Sequence, residues 1–230
     1  MKTAKWFKVG IPLPIKDLAE KLKARSFTRE RRTGFVLKKI TGVELIAQYI
    51  EQKTTIKEIT DPFGVHQTFE IPDFQVIEFR IFCIEDVWLL QINNTPRSIK
   101  SLILKLSSII GFGFYADNIE IDLKKLINAL EDTQGRLLVT KMDLYNINIQ
   151  NTALGQMVIT SPKDVRQSLD SYLLAGTDYK IKGLVAKFAL HEVFTGTFEI
   201  RNNSRIEFCE AMPSRLFLEA YLPILTQLIK

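Results

Sequence analysis

Apolar positions along the chain follow two periods. From Ile15 the spacing Ile15, Leu18, Ala19, Leu22 is that of one helix face, and it predicts a short amphipathic helix reaching about Arg25. A short strand over 6–11 precedes it, closed by Pro12 and Pro14. Strand character resumes at 35–40. Residues 43–52 fit a helix through Val43, Ile46, Ala47 and Ile50, and equally a strand through Val43, Leu45, Ala47 and Tyr49. The β-branched run at 53–60 follows without a break and favours a strand for most of 43–60. Asp61-Pro62-Phe63-Gly64 has the composition of a type I turn, so 53–60 and 65–71 should form a hairpin. Pro72-Asp73 then punctuates the chain before a strand at 75–84. Glu85-Asp86 reverses it into a strand at 87–92.

The second half repeats these signals. Helices are predicted at about 97–110 and 121–131, with a strand from Arg136. A hairpin follows, from 146–150 to 157–160. Ser161-Pro162 places an N-cap and a first-turn proline at the start of a helix running to Leu174. Strands at 178–190 and 197–208 precede a last helix from about Pro213 to Leu228, which Pro223 should kink or reset.

The fold class expected is α+β: a mainly antiparallel curved sheet with four or five helices. Strand, strand, link and proline-started helix occur twice, at 75–84, 87–92 and Thr95-Pro96-Arg97-Ser98, then at 178–190, 197–208 and Met212-Pro213-Ser214-Arg215. This layout would suit two pseudo-symmetric ββα units, and it is similar to ferredoxin-like and TATA-binding-protein-like folds. As fold analogy alone it implies no function. The organisation expected is a basic strand, helix and arm over 1–40, a first α+β unit over 41–135 and a second over 136–230, packed as one compact body.

Charge sharpens this picture. The 230 residues carry a net +5, yet residues 1–40 hold twelve Lys and Arg against three acids, net +9. The remaining 190 hold nineteen bases and twenty-three acids, net −4. Basicity is densest over 21–32, where Lys21, Lys23, Arg25, Arg29, Arg31 and Arg32 surround Phe27, and Lys38 and Lys39 follow on the next strand. Such a segment can neutralise phosphates, and Phe27 can stack on a base. Arg97 and Arg215, each beside a serine at an expected helix start, add two anion-binding positions, and Lys163 marks a third. The alternatives are a solvated face or an acidic protein partner.

Other chemistries find little support. The two histidines, His66 and His191, have no Ser or Cys in a strand-turn-helix nucleophile setting. Neither Walker A nor Gly-x-Gly-x-x-Gly occurs. Cys83 and Cys209 lie apart in apolar runs, read as buried reduced thiols rather than a disulfide. No local cluster has metal-ligand spacing, and no cofactor is expected. A metal-dependent nuclease would have to draw on Glu78, Glu85, Asp86, Asp143, Glu199 and Glu207. Three of these sit beside Arg80, Arg201 and Arg205 on strands, a pattern that usually marks an exposed face with cross-strand ion pairs.

Gly111-Phe112-Gly113-Phe114 resembles the core of the RNP1 strand of RNA-recognition motifs. It follows the first long helix instead of lying on a third strand, so the reading is a helix-stop glycine whose aromatics return to the core. Repeat-cleaving CRISPR endonucleases share this size, basicity and paired ferredoxin-like units. Their C-terminal Gly-rich loop has no counterpart here, and no family is assigned.

No leader-like apolar segment and no spanning run occur, so a cytoplasmic protein of a microbe or virus is expected, with no membrane partner. The first functional expectation is a non-enzymatic nucleic-acid-binding protein, for DNA or RNA, and a subunit of a larger nucleoprotein or defence-type assembly. The second is a protein-interaction or oligomerisation subunit with an acidic partner, whose last helix contributes Leu216, Phe217, Ala220, Tyr221, Ile224 and Leu228. The third is the nuclease.

Overall fold

The computed structural model describes residues 2–60, 62–133, 135–149, 153–173, 177–190, 194–208 and 215–229. In chain order the elements are β1 (Lys2–Gly10), α1 (Ile15–Lys23), β2 (Thr33–Ile40), β3 (Glu44–Thr60), β4 (His66–Ile84), β5 (Val87–Asn93), α2 (Lys100–Ile110), β6 (Tyr115–Asn118), α3 (Leu123–Asp132), β7 (Arg136–Ile149), β8 (Ala153–Thr160), α4 (Arg166–Tyr172), β9 (Lys180–Leu190), β10 (Phe194–Arg201), β11 (Ile206–Phe208) and α5 (Arg215–Ile229). The protein is a mixed α+β chain with antiparallel strand pairing. Two units result: residues 9–83 with 88–116, and residues 1–8 with 84–87 and 117–230.

In the first unit the strands run in the order β2, β3, β4, β5. The ambiguous stretch 43–52 is strand, because each side of it finds a ladder. Tyr49 of β3 faces Phe35 of β2 on one side and Ile77 of β4 on the other. Their rings gather under the sheet, with Phe35 centred 5.3 Å from Tyr49 and 6.1 Å from Phe79. The helix α1 buries Ile15, Leu18, Ala19 and Leu22, the face its spacing announced, and packs against β2. Asp17 in its first turn and Lys21 and Lys23 in its last complement the helix dipole.

Several boundaries differ from expectation. β4 runs straight through Pro72-Asp73, with Pro72 opposite Thr54 and Asp73 opposite Lys53. A proline is tolerated in a strand whose one edge is unpaired. The expected 61–64 turn includes Asp61, which lies outside the described residues. Gly64 takes φ +86°, and Thr60 faces His66 across the turn. The Glu85-Asp86 reversal is as expected: both residues have positive φ, as a two-residue hairpin of mirror-image type requires. The helix α2 begins only at Lys100, so Pro96, Arg97 and Ser98 belong to the link before it. Ser98 Oγ still accepts from Lys100 N at 3.3 Å.

The expectation for Gly111–Phe114 is overturned. Gly111 does stop the helix at φ +89°, and Gly113 at φ +90° lies against Pro12. The two left-handed glycines turn Phe112 outward instead of inward, and it is fully exposed at 104%. Phe114 is half-buried.

In the second unit residues 2–4 of β1 pair with β11, and the order continues β10, β9, β7, β8. Trp6 is fully buried, its ring 5.4 Å from Tyr221 of α5. The single strand expected over 197–208 is two, because Ser204 at φ +64° turns the chain and donates from Oγ to the Trp6 carbonyl at 2.7 Å. The expected Ser161-Pro162 helix start is displaced to Arg166. Ser161 Oγ accepts from Lys163 N at 3.1 Å, but within a turn. Asp164 instead takes Arg166 N at 3.0 Å. Lys163 is therefore not at a helix start. The helix α5 continues through Pro223. Cys83 is half-buried, not fully buried, and Cys209, His191 and Met212-Pro213-Ser214 lie outside the described residues. Among those described, no helix is long and apolar enough to cross a membrane.

Candidate nucleic-acid interface

The basic segment is folded against the first unit's sheet. After α1 the chain makes a parallel bridge to β2 at Ser26, opposite Phe35. Phe27 N donates to Phe35 O at 3.1 Å, and Phe35 N to Arg25 O at 3.0 Å. Arg31 N donates to Thr28 O at 3.2 Å, and its guanidinium holds Ala24 O at 3.0 Å. Gln52 N then donates to Arg32 O at 2.7 Å, tying the end of the loop to β3. The approach is close enough that a Cβ at Gly34 would come within 2.4 Å of the Phe27 backbone. Glycine is needed there for space, not for an unusual φ.

These anchors are almost all backbone groups, which leaves the side chains outside. Arg25, Arg29, Arg31 and Arg32 are exposed. Phe27 is half-buried, its ring 6.2 Å from that of Phe74 and nearly perpendicular to it. Phe74 is 50% exposed. It lies 47 positions further along, on the strand that was expected to begin one residue later, and nothing local links it to Phe27. The β3–β4 register brings it there, opposite Gln52, which in turn holds Arg32.

Beside the loop an open groove of about 560 Å³ runs between α1 and β2. Phe27, Phe35, Val36 and Leu37 give it an apolar floor, and Lys23, Lys38 and Lys39 outnumber Glu20 around it. A bulge between Leu37 and Lys39 interrupts the ladder there. Lys39 reaches Glu44 at 3.8 Å, while Glu44 is held more closely by Arg80 at 3.1 Å. Lys21 lies elsewhere, donating to Ile109 O of α2 at 3.3 Å. Arg97, exposed in the β5–α2 link, is not among the groove residues. The backbone of Arg215 starts α5, and its side chain lies outside the described residues.

The dispersed carboxylates are engaged structurally. Glu78 accepts from Gln48 at 2.8 Å. Glu199 pairs with Arg201 at 2.9 Å along β10, and Glu207 of β11 pairs at 3.4 Å with Arg205 in the turn before it, in each case between residues two apart rather than across strands. Asp143 and Glu199 share a cavity of about 80 Å³ with Lys141, Lys182 and Arg201. Glu85 and Asp86 form the β4–β5 turn. Among the described residues no three His, Cys, Asp or Glu converge as metal ligands. The exposed His66 shares a 2.9 Å contact with Thr60 Oγ1.

A second recess in the other unit, about 470 Å³, was not legible beforehand. Lys124 sits 3.6 Å over the Tyr179 ring, and Asn202 Nδ2 donates to Tyr145 Oη at 3.4 Å. Asp122 there is spent as the N-cap of α3, accepting from Lys124 N and Lys125 N.

No protein-family model matches the chain, and no curated protein matches it.

Proposed function

We propose that the protein binds single-stranded nucleic acid through the α1–β2 segment. What supports this reading is the aromatic pair Phe27–Phe74 beside an arginine-rich loop whose own backbone supplies its anchors. Arg25, Arg29, Arg31 and Arg32 neutralise phosphates, and Lys23, Lys38 and Lys39 extend the positive track along the groove. The exposed part of Phe74 offers a surface on which a base stacks, with Phe27 bracing it from the side. Binding of this kind discriminates little between sequences and falls steeply with salt, because each neutralised phosphate releases counterions.

The wider reading is a non-enzymatic subunit of a nucleoprotein assembly. It is supported by a separate feature, the apolar ribbon of β3 and β4. The hairpin-then-helix order β4, β5, α2 and its partner β9, β10, β11, α5 suits the two-unit layout of a ββα repeat. Titrating a labelled single-stranded oligonucleotide over a range of salt concentrations tests the reading. Replacing Arg29, Arg31 and Arg32 together with Ala should weaken binding and flatten the salt slope by up to about two, roughly 0.7 for each lost phosphate contact on a single strand. Unchanged affinity and slope would rule it out.

A further inference from the structure

Among the described residues, no ladder adds a third strand to the outer half of the β3–β4 hairpin. Pairing with β2 ends at Thr33 opposite Glu51, yet β3 and β4 stay paired from Lys53–Asp73 to Thr60–His66. Those eight rungs extend roughly 27 Å at about 3.4 Å per residue. A two-stranded ribbon alone in water is marginally stable. This one also exposes Ile56 at 63%, Ile59, Phe69 and Ile71 along its length, and Phe63 at 92% and Val65 at its tip. By the ladder register Ile59, Phe69 and Ile71 share one face, while Ile56 shares the other with Glu58 and Glu70. Exposed apolar surface of this kind marks a docking element. Its edges are guarded against further strands, by Lys53 and Lys57 on one side and by Pro72 on the other. The faces and the tip are what remain to dock.

Charge narrows the partner. Residues 53–73 carry four acids, Glu58, Asp61, Glu70 and Asp73, against Lys53 and Lys57, net −2. Residues 21–39 carry eight bases against Glu30, net +7. The groove beside β2 combines an apolar floor with a lysine rim, and the ribbon combines apolar side chains with carboxylates. The two surfaces complement each other in both respects. They cannot meet within one chain, because Gln52 at the ribbon's base is bonded to Arg32 and the tip points some eight residues away.

We propose that the β3–β4 ribbon of one copy lodges in the α1–β2 groove of a second copy, with Phe63 as its apolar anchor. Reciprocal exchange about a two-fold axis closes a dimer, and one-way exchange repeats into a longer oligomer. Because the same basic segment takes the proposed nucleic acid, self-association and nucleic-acid binding exclude each other. That corollary alone rests on the functional reading above.

The test is the mass of nuclease-treated full-length protein by light scattering, over a concentration series at low and high salt. A mass above the monomer at low salt that falls as salt rises is expected. Phe63→Ser, at an exposed position, should raise the self-dissociation constant at least tenfold and, by freeing the basic segment, should leave oligonucleotide binding at least as tight. Two charge-reversed variants decide the pairing. E58K/E70K and K23E/K38E, the latter on the groove's rim, should each be monomeric alone and should associate with one another when mixed. A wild-type protein that stays monomeric at every concentration overturns the inference, as does an oligomer indifferent to both variants. Loss of oligonucleotide binding with self-association intact would count against the functional reading only.

Discussion

Arg166 shows how much one side chain can organise. Its guanidinium bonds Asp164 at 2.7 Å, Glu131 at 2.6 Å and the Leu137 carbonyl at 3.2 Å, joining α3, β7 and the start of α4. Burial pushes the Asp164 carboxyl up, but the Arg166 hydrogen bonds win and hold it below its ordinary value. The same partners raise the Arg166 guanidinium above its own. A carboxylate with a depressed folded-state pKa contributes stability above its unfolded value and loses it as pH falls through the folded one. The wild type should therefore lose part of its stability below about pH 4, the ordinary Asp value. Arg166→Met should cost about 2 kcal/mol near neutrality and flatten that acid-side dependence, as read by urea unfolding across pH. At the interface, Phe74→Ala should weaken oligonucleotide binding by about 1–3 kcal/mol without changing the salt slope, since it removes stacking and no charge. That contrast with the arginine variants separates the two roles. Arg25 through Arg32 were visible as a charge run. Phase and pairing alone could not reveal Phe74, because its place beside Phe27 depends on the register that sets it opposite Gln52, 22 positions back.

At the scale of elements, the signals that held were those with many contributors. The apolar spacing of α1, the alternation of 43–60 and the Glu85-Asp86 reversal each rest on several residues agreeing. The signals that misled were single punctuation marks. Pro72 looked like a strand break, but an unpaired edge absorbs it. Ser161-Pro162 looked like a helix start, yet the helix waits for Arg166, whose amide donates to Asp164 Oδ1 and where the three-way ion network forms. Gly111 was a true stop, but a second left-handed glycine at Gly113 sends the intervening Phe112 to the surface. Gly34 is the converse: unremarkable in sequence, it is the point where β2 lets the loop approach. Gly34→Val should push the Phe27 backbone off β2 and weaken oligonucleotide binding more than it lowers the melting temperature. Comparing the two losses in one variant checks that the loop's seat, and not the whole fold, has changed.

Across the whole molecule the net charge of +5 divides at residue 40 into +9 and −4. The basic part is a built surface, held to β2 and β3 by backbone hydrogen bonds and faced by an aromatic from β4. The chain divides into two units, residues 9–83 with 88–116 and residues 1–8 with 84–87 and 117–230. Residues 1–8 join the later part of the chain through β11, a pairing across some 200 positions that no local pattern carries. The central claim is that the α1–β2 surface holds nucleic acid through phosphates. The most direct measurement is the dissociation constant of a single-stranded oligonucleotide, by fluorescence anisotropy, against salt concentration for the wild type and for R29A/R31A/R32A. A steep wild-type dependence that becomes shallower and weaker in the variant is the predicted result. Identical curves for the two proteins, or no binding by the wild type at low salt, would contradict it.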